Sequence, residues 1–118
     1  MLNEFSLYAK VLNDLLTGRD WKDVEILAES LDNAWRDGKQ IFLCGNGGSA
    51  ANALHFANDL LYGVGSGNSD GLKVEALTSN TSVLTCLAND VGYEEIFSTQ
   101  LSAKGNAGDF CLLYTSDA

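Results

Sequence analysis

A chain of 118 residues with 46% apolar content is one soluble-type globular domain at most, and a domain of that length buries roughly two-thirds of its unfolded surface. A formal charge of −9 with only seven Lys and Arg argues against nucleic acid as a partner. It also leaves any bound phosphate to backbone N–H groups and hydroxyls. The N-terminus carries Asn3 and Glu4 and no basic segment ahead of an apolar core, so no signal peptide is expected. No apolar run approaches a membrane span, so no membrane partner is expected. Cys44, Cys86 and Cys111 are an odd number in apolar surroundings, which predicts reduced, packed thiols in a cytoplasmic protein.

Phe5, Tyr8, Val11, Leu12, Leu15 and Leu16 recur at helical spacing, with Gly18 as the expected C-cap. A second helix is predicted from Asp20, with Asp23 in its first turn, where negative charge is favoured. Val24, Leu27, Ala28, Leu31, Ala34 and Trp35 form its apolar stripe, and Gly38 ends it. Trp21 and Trp35 read as core or interface anchors.

Residues 40–61 organise the rest. Ile41–Cys44 is a short apolar run that predicts a buried strand. Gly45, Gly47 and Gly48, split by Asn46, follow it, and then an Ala- and Leu-rich stretch predicts a helix. A strand that turns through glycines into a helix N-terminus offers free N–H groups to a polar or anionic ligand. Ser49 is the expected cap of that helix and a candidate hydroxyl for the ligand. The pattern is neither G-x-G-x-x-G nor G-x-x-x-x-G-K-[ST], so a dinucleotide or Walker loop is not supported. His55, the single histidine, and Asp59 are four apart and share one helical face, read as close to the loop. Taken alone, the loop also fits a tight connection and the pair a surface contact.

Residues 62–71 are glycine-rich and polar, the composition of an ordinary surface loop. Residues 73–77 alternate as a second strand. Residues 83–88 predict a short helix breaking at Asn89 and Asp90, residue types that also serve simply as turn and cap residues. Residues 93–104 predict one helix, with Ile96, Phe97 and Leu101 toward the core and Glu94, Glu95 and Gln100 on a solvated or interface face; Gly105 stops it. Residues 110–114 predict a third strand.

Residues 45–50, then His55-Phe56-Ala57 with an acid at 59, then residues 84–90 and 92–100, then Gly108-Asp109, resemble in that order the sugar isomerase (SIS) domain, and within it the phosphoheptose isomerases. The resemblance covers the chain up to about Asp109. It implies an α/β fold: a three-layer, flavodoxin-like parallel sheet flanked by helices, behind an N-terminal helical hairpin. The domain division is 1–39 for helices of packing and oligomer interface, and 40–118 for a partial SIS domain with residues from about 110 outside the family pattern. It implies aldose–ketose isomerisation of sedoheptulose 7-phosphate to heptose 7-phosphate, in a cytoplasmic homo-oligomer, a tetramer, whose sites neighbouring subunits complete.

Carried over position by position, the resemblance gives Asn46, Gly47, Gly48, Ser49, Asn89 and Asp90 to the sugar phosphate. It gives His55 and Asp59 to a zinc site and to proton transfer, with the remaining ligands, a Gln and a His, absent from this chain. Asp59 stands where the family more commonly has Glu, so its oxygens reach about 1.5 Å less far, and misplacement on the order of 1 Å can cost about a hundredfold in rate. The family's phosphate loop is a Ser-rich segment after the third strand. Here residues 115–118 read Thr-Ser-Asp-Ala, and Asp117 would place an anion against the phosphate. The expectation is a C-terminally truncated chain, inactive alone, with a non-native tail. The rival readings are a non-catalytic SIS regulator, similar to the bacterial replication initiator-associating proteins, and a sugar-phosphate sensor. The regulators lack a carboxylate one turn after the histidine, and sensors accompany a DNA-binding domain; Asp59 and the missing basic helical module disfavour both.

Overall fold

The computed structural model describes residues 1–64 and 70–115. The chain forms two compact units, Met1–Ser30 and Leu31–Ala118. The first contains helix α1 (Leu2–Gly18) and the start of α2 (Lys22–Arg36). Gly18 is not a left-handed cap: it is the last helical residue, and the chain leaves through Arg19 in an extended conformation. The helix end is tied instead by Trp21, whose indole N–H donates to the Leu16 carbonyl at 3.2 Å. Asp20 accepts from the Lys22 amide at 3.0 Å and so marks the start of α2.

The second unit is built on a parallel sheet in the order β2-β1-β3. Its strands are β1 (Ile41–Cys44), β2 (Val74–Ala76) and β3 (Phe110–Leu113). Ile41 lies beside Val74 on one side and Phe110 on the other. All four β1 residues are buried, as a central strand covered on both faces requires. This is the strand order of a flavodoxin-like sheet, in which ligands sit beyond the carboxyl ends of the strands. Phe42, Cys44 and Leu77 make the inner cluster, with Phe97 and Leu101 packed against it. At the other end of the sheet Asp109 accepts from the Gln40 and Asn106 amides, 3.0 and 2.8 Å away, and binds the entry of β3 to that of β1.

Helices α3 (Gly48–Asn58), α4 (Thr81–Asp90) and α5 (Ser98–Lys104) flank the sheet. Several local expectations change. Asp59–Gly63 forms a π-helical turn that continues α3, so Tyr62 and Gly63 are helical where a loop was expected. Val64 N–H closes this turn onto the Asp59 carbonyl at 3.0 Å. Residues 65–69 of the expected surface loop, and Ser116, Asp117 and Ala118 of the expected tail, lie outside the described residues. The helix expected over 93–104 divides into a 3-10 turn, Tyr93–Glu95, and α5. Helix α4 starts earlier than expected because the Asn80 side chain caps it, accepting from Val83 N–H at 3.1 Å. Cys44 is buried as expected, but Cys86 and Cys111 are exposed, because α4 turns the first outward and β3 is an edge strand.

Candidate active site

The loop after β1 is shaped by two glycines in different ways. A Cβ on Gly45 would meet Ser49 Cβ at 2.8 Å, so only glycine lets the strand end lie against the first turn of α3. Gly47 has φ +56° and caps α3 through its backbone, a conformation that disfavours side chains. Ser49 therefore does not cap the helix; no side-chain cap is made, and its own amide bonds to the Asn46 carbonyl at 2.9 Å. One of the N–H groups expected to face a ligand is thus already used. The amides of Gly48 and Ala50 have no acceptor among the described residues.

Beyond the carboxyl ends of β1 and β2 lies a cavity of about 260 Å³. Asn46 and Gly47 form one wall; Thr78, Thr85, Tyr93 and Phe97 contribute to the others. The Tyr93 hydroxyl donates to Asn46 Oδ1 at 2.8 Å and joins two of these walls. The Thr78 hydroxyl is buried there with no hydrogen-bond partner among the described residues. Thr78, Thr85 and Tyr93 are site residues that no local sequence motif singles out. The available signal was position: Thr78 follows β2 as the glycine loop follows β1, and parallel strands deliver both turns to the same end.

His55 and Asp59 do meet. His55 Nε2 is 3.4 Å from Asp59 Oδ2, and both side chains are exposed, 79% and 53%. They do not line the cavity. His55 lies seven positions along α3 from Gly48, roughly 10 Å along the axis, so the pair is two turns from the loop rather than close to it. Asn58 Nδ2 contacts the other oxygen, Asp59 Oδ1, at 3.4 Å.

Asn89 and Asp90 sit in the last turn of α4, not beyond its break, and neither lines the cavity. Asn89 Nδ2 donates to Asp90 Oδ1 at 2.8 Å, and the Cys86 thiol to Oδ2 at 3.3 Å. Both bonds hold the Asp90 carboxyl below the usual carboxylate range, the Asn89 bond more than the Cys86 one.

Zinc normally takes three or more protein ligands. Among the described residues no group of three His, Cys, Asp or Glu is placed to hold a metal. His55 and Asp59 by themselves do not fit a zinc centre.

A family model described as SIS domain matches residues 5–117. The chain belongs to the SIS domain family. The match includes both N-terminal helices and β3. The SIS chain is 39% identical over 110 residues to a phosphoheptose isomerase of Chlorobaculum parvum, covering 92% of this chain and 53% of that protein. It is 47% identical over 88 residues to a phosphoheptose isomerase of Helicobacter pylori, covering 75% and 43%. Among solved structures it resembles the phosphoheptose isomerase GmhA of Neisseria gonorrhoeae, with a TM-score of 0.68 and 32% identity. It also resembles a phosphoheptose isomerase from Francisella tularensis, with a TM-score of 0.82 and 26% identity. Each of these structural matches covers 98% of this chain and 61% of the other. The SIS chain thus spans about half the length of the curated relatives it matches. Among its described residues no helix is long and apolar enough to cross a membrane.

Proposed function

We propose that this SIS chain supplies the sugar-binding loop and the proton-transfer pair of a cytoplasmic aldose–ketose isomerase. Its substrate is sedoheptulose 7-phosphate and its product heptose 7-phosphate. The observation that carries the reading is the placing of the Asn46 loop at the carboxyl end of β1, with a His–Asp pair on the helix that leaves it. The identity to phosphoheptose isomerases across this region supports it.

Isomerisation moves a proton from one carbon to its neighbour and needs a base near the carbon and donors near the oxygens. Asp59 takes the proton from the hydroxyl-bearing carbon next to the carbonyl and gives a proton, exchanged with solvent on this exposed carboxylate, to the former carbonyl carbon. The hydroxyl proton passes to the other oxygen through the enediol. His55 Nε2, 3.4 Å away, orients the carboxylate. Asn46 and the loop amides hold sugar oxygens. Asn89 and Asp90 would reach the same sugar from the end of α4. The roughly 10 Å between loop and pair suits an extended ligand, such as a seven-carbon chain ending in a phosphate. The exposure of the pair fits a site completed by a neighbouring subunit, and a homotetramer is the assembly proposed.

The test is to recover the full reading frame from the source DNA, express it, and assay sedoheptulose 7-phosphate in D₂O. Deuterium entering the carbon next to the carbonyl, together with heptose 7-phosphate formation, is expected. A full-length product that binds the ketose phosphate but forms no heptose 7-phosphate would overturn the isomerase reading.

A further inference from the structure

Asn46 is the one side chain of the glycine loop that reaches a residue far away in sequence. Its Oδ1 accepts the Tyr93 hydroxyl at 2.8 Å, across 47 positions. A primary amide carries two acceptor sites on oxygen and two donors on nitrogen. With the oxygen engaged by Tyr93, the amide is fixed about its last torsion. Its Nδ2 has no acceptor among the described residues, so both of its hydrogens remain for a ligand. Tyr93 itself is held by a short 3-10 turn, with Glu95 N–H bonded to Gly92 C=O at 3.1 Å. Both side chains border the same cavity.

We propose that Tyr93 is a positioning residue that orients the Asn46 amide as a donor. It selects ligands that present an acceptor oxygen, a sugar hydroxyl or carbonyl, at the loop. This rests on the sugar-phosphate reading of the Asn46 loop and adds a residue to it. Without the Tyr93 hydroxyl the amide turns freely and presents oxygen or nitrogen alike. Tyr93 borders the cavity and is 61% exposed, so Tyr93→Phe removes the bond with little change in packing.

The experiment uses the protein expressed from its full reading frame and has two readouts. The first needs no ligand: side-chain amide NMR relaxation of Asn46 in wild type and Tyr93→Phe. A rigid amide that becomes mobile in the variant is expected; unchanged order overturns the positioning role. The second is a double-mutant cycle on sedoheptulose 7-phosphate affinity. Tyr93→Phe should weaken binding by about three- to tenfold, the worth of one neutral hydrogen bond. The same change in an Asn46→Ala background should have no further effect, because Tyr93 acts through Asn46. Losses that multiply overturn the proposal and make Tyr93 an independent contact. A wild type whose Asn46 amide is held by Tyr93 but which takes up no sedoheptulose 7-phosphate overturns the sugar-phosphate reading, and with it the selection of ligand. Thermal midpoints of the variants are measured alongside; a melting shift in Tyr93→Phe comparable to that of a core truncation overturns the positioning role in favour of a structural one.

Discussion

The Gln100 side-chain amide donates to the backbone carbonyl of Leu77 across 3.0 Å, and the residue is only 4% exposed. Leu77 lies in the turn that follows β2, and Gln100 supplies a donor to its carbonyl. The same nitrogen donates to the Ile96 carbonyl at 2.8 Å, within the break ahead of α5. One buried amide thus joins the turn after β2 to α5. Gln100→Leu keeps the apolar volume but leaves these carbonyls unpaired in the interior. A loss of about 1–3 kcal/mol is expected, read as a lower urea midpoint with unchanged slope. A shift indistinguishable from that of an exposed neighbour such as Thr99→Ala would remove this role.

Asp109 predicts how the fold responds to acid. The Asn106 amide, then the Gln40 amide, then Lys39 hold its carboxyl below the usual carboxylate range. A carboxyl whose folded pKa is depressed stabilises the fold above its unfolded value. That stabilisation is lost as pH falls through the folded one. Asp109→Asn should therefore be less stable than wild type at pH 7, and the gap should close as pH falls below the ordinary carboxylate value near 3.9. Urea midpoints of both proteins across that range check it; a gap constant with pH would show that the carboxylate's charge is not what matters.

Part of this is legible in the sequence alone. β1 is central and buried on both faces, so its residues are apolar without interruption, and the run 41–44 announces a strand. The glycine loop is legible because Gly45 and Gly47 meet constraints only glycine satisfies. Gln100 was not legible. A helical Gln four residues after Ile96 looks like surface, and only the position of the Leu77 carbonyl makes it interior. The π turn at Asp59 was hidden for a similar reason: residues 48–63 carry no Pro, and helix propensity does not distinguish one helical hydrogen-bond pattern from another. The Tyr93–Asn46 bond joins residues 47 positions apart, beyond the reach of any local pattern.

The three thiols should separate cleanly by reactivity. Burial, helped by the neighbouring Cys111 thiol, pushes Cys44 up to about 12, so at neutral pH it carries almost no thiolate. Cys86 is exposed, but its hydrogen bond to Asp90 and that carboxylate's charge push its pKa up as well. Cys111 is exposed. Iodoacetamide on the native protein should label Cys111 first, Cys86 more slowly, and Cys44 only on unfolding, as read by peptide mass spectrometry. Asp90→Asn should speed labelling of Cys86 alone. Early labelling of Cys44 would mean that the β1 end opens under native conditions.

Asp59 is where the proposed chemistry is most exposed to test. Its Oδ2 faces His55 Nε2 at 3.4 Å, and the π-helical turn begins at this residue. Asp59→Asn in the full-length protein removes the base but keeps the shape. Turnover of sedoheptulose 7-phosphate should fall by about 10²- to 10⁴-fold, the usual contribution of a positioned general base, while binding stays measurable. Asp59→Glu keeps the charge and extends its reach by about 1.5 Å. If the shorter side chain is poorly placed, Glu raises turnover; if the π turn carries the carboxylate forward to compensate, Glu overshoots and lowers it. The direction of that change reports where the backbone has put the base. Unchanged turnover in Asp59→Asn would take Asp59 out of the mechanism, and His55 would then have to transfer the proton without a carboxylate beside it.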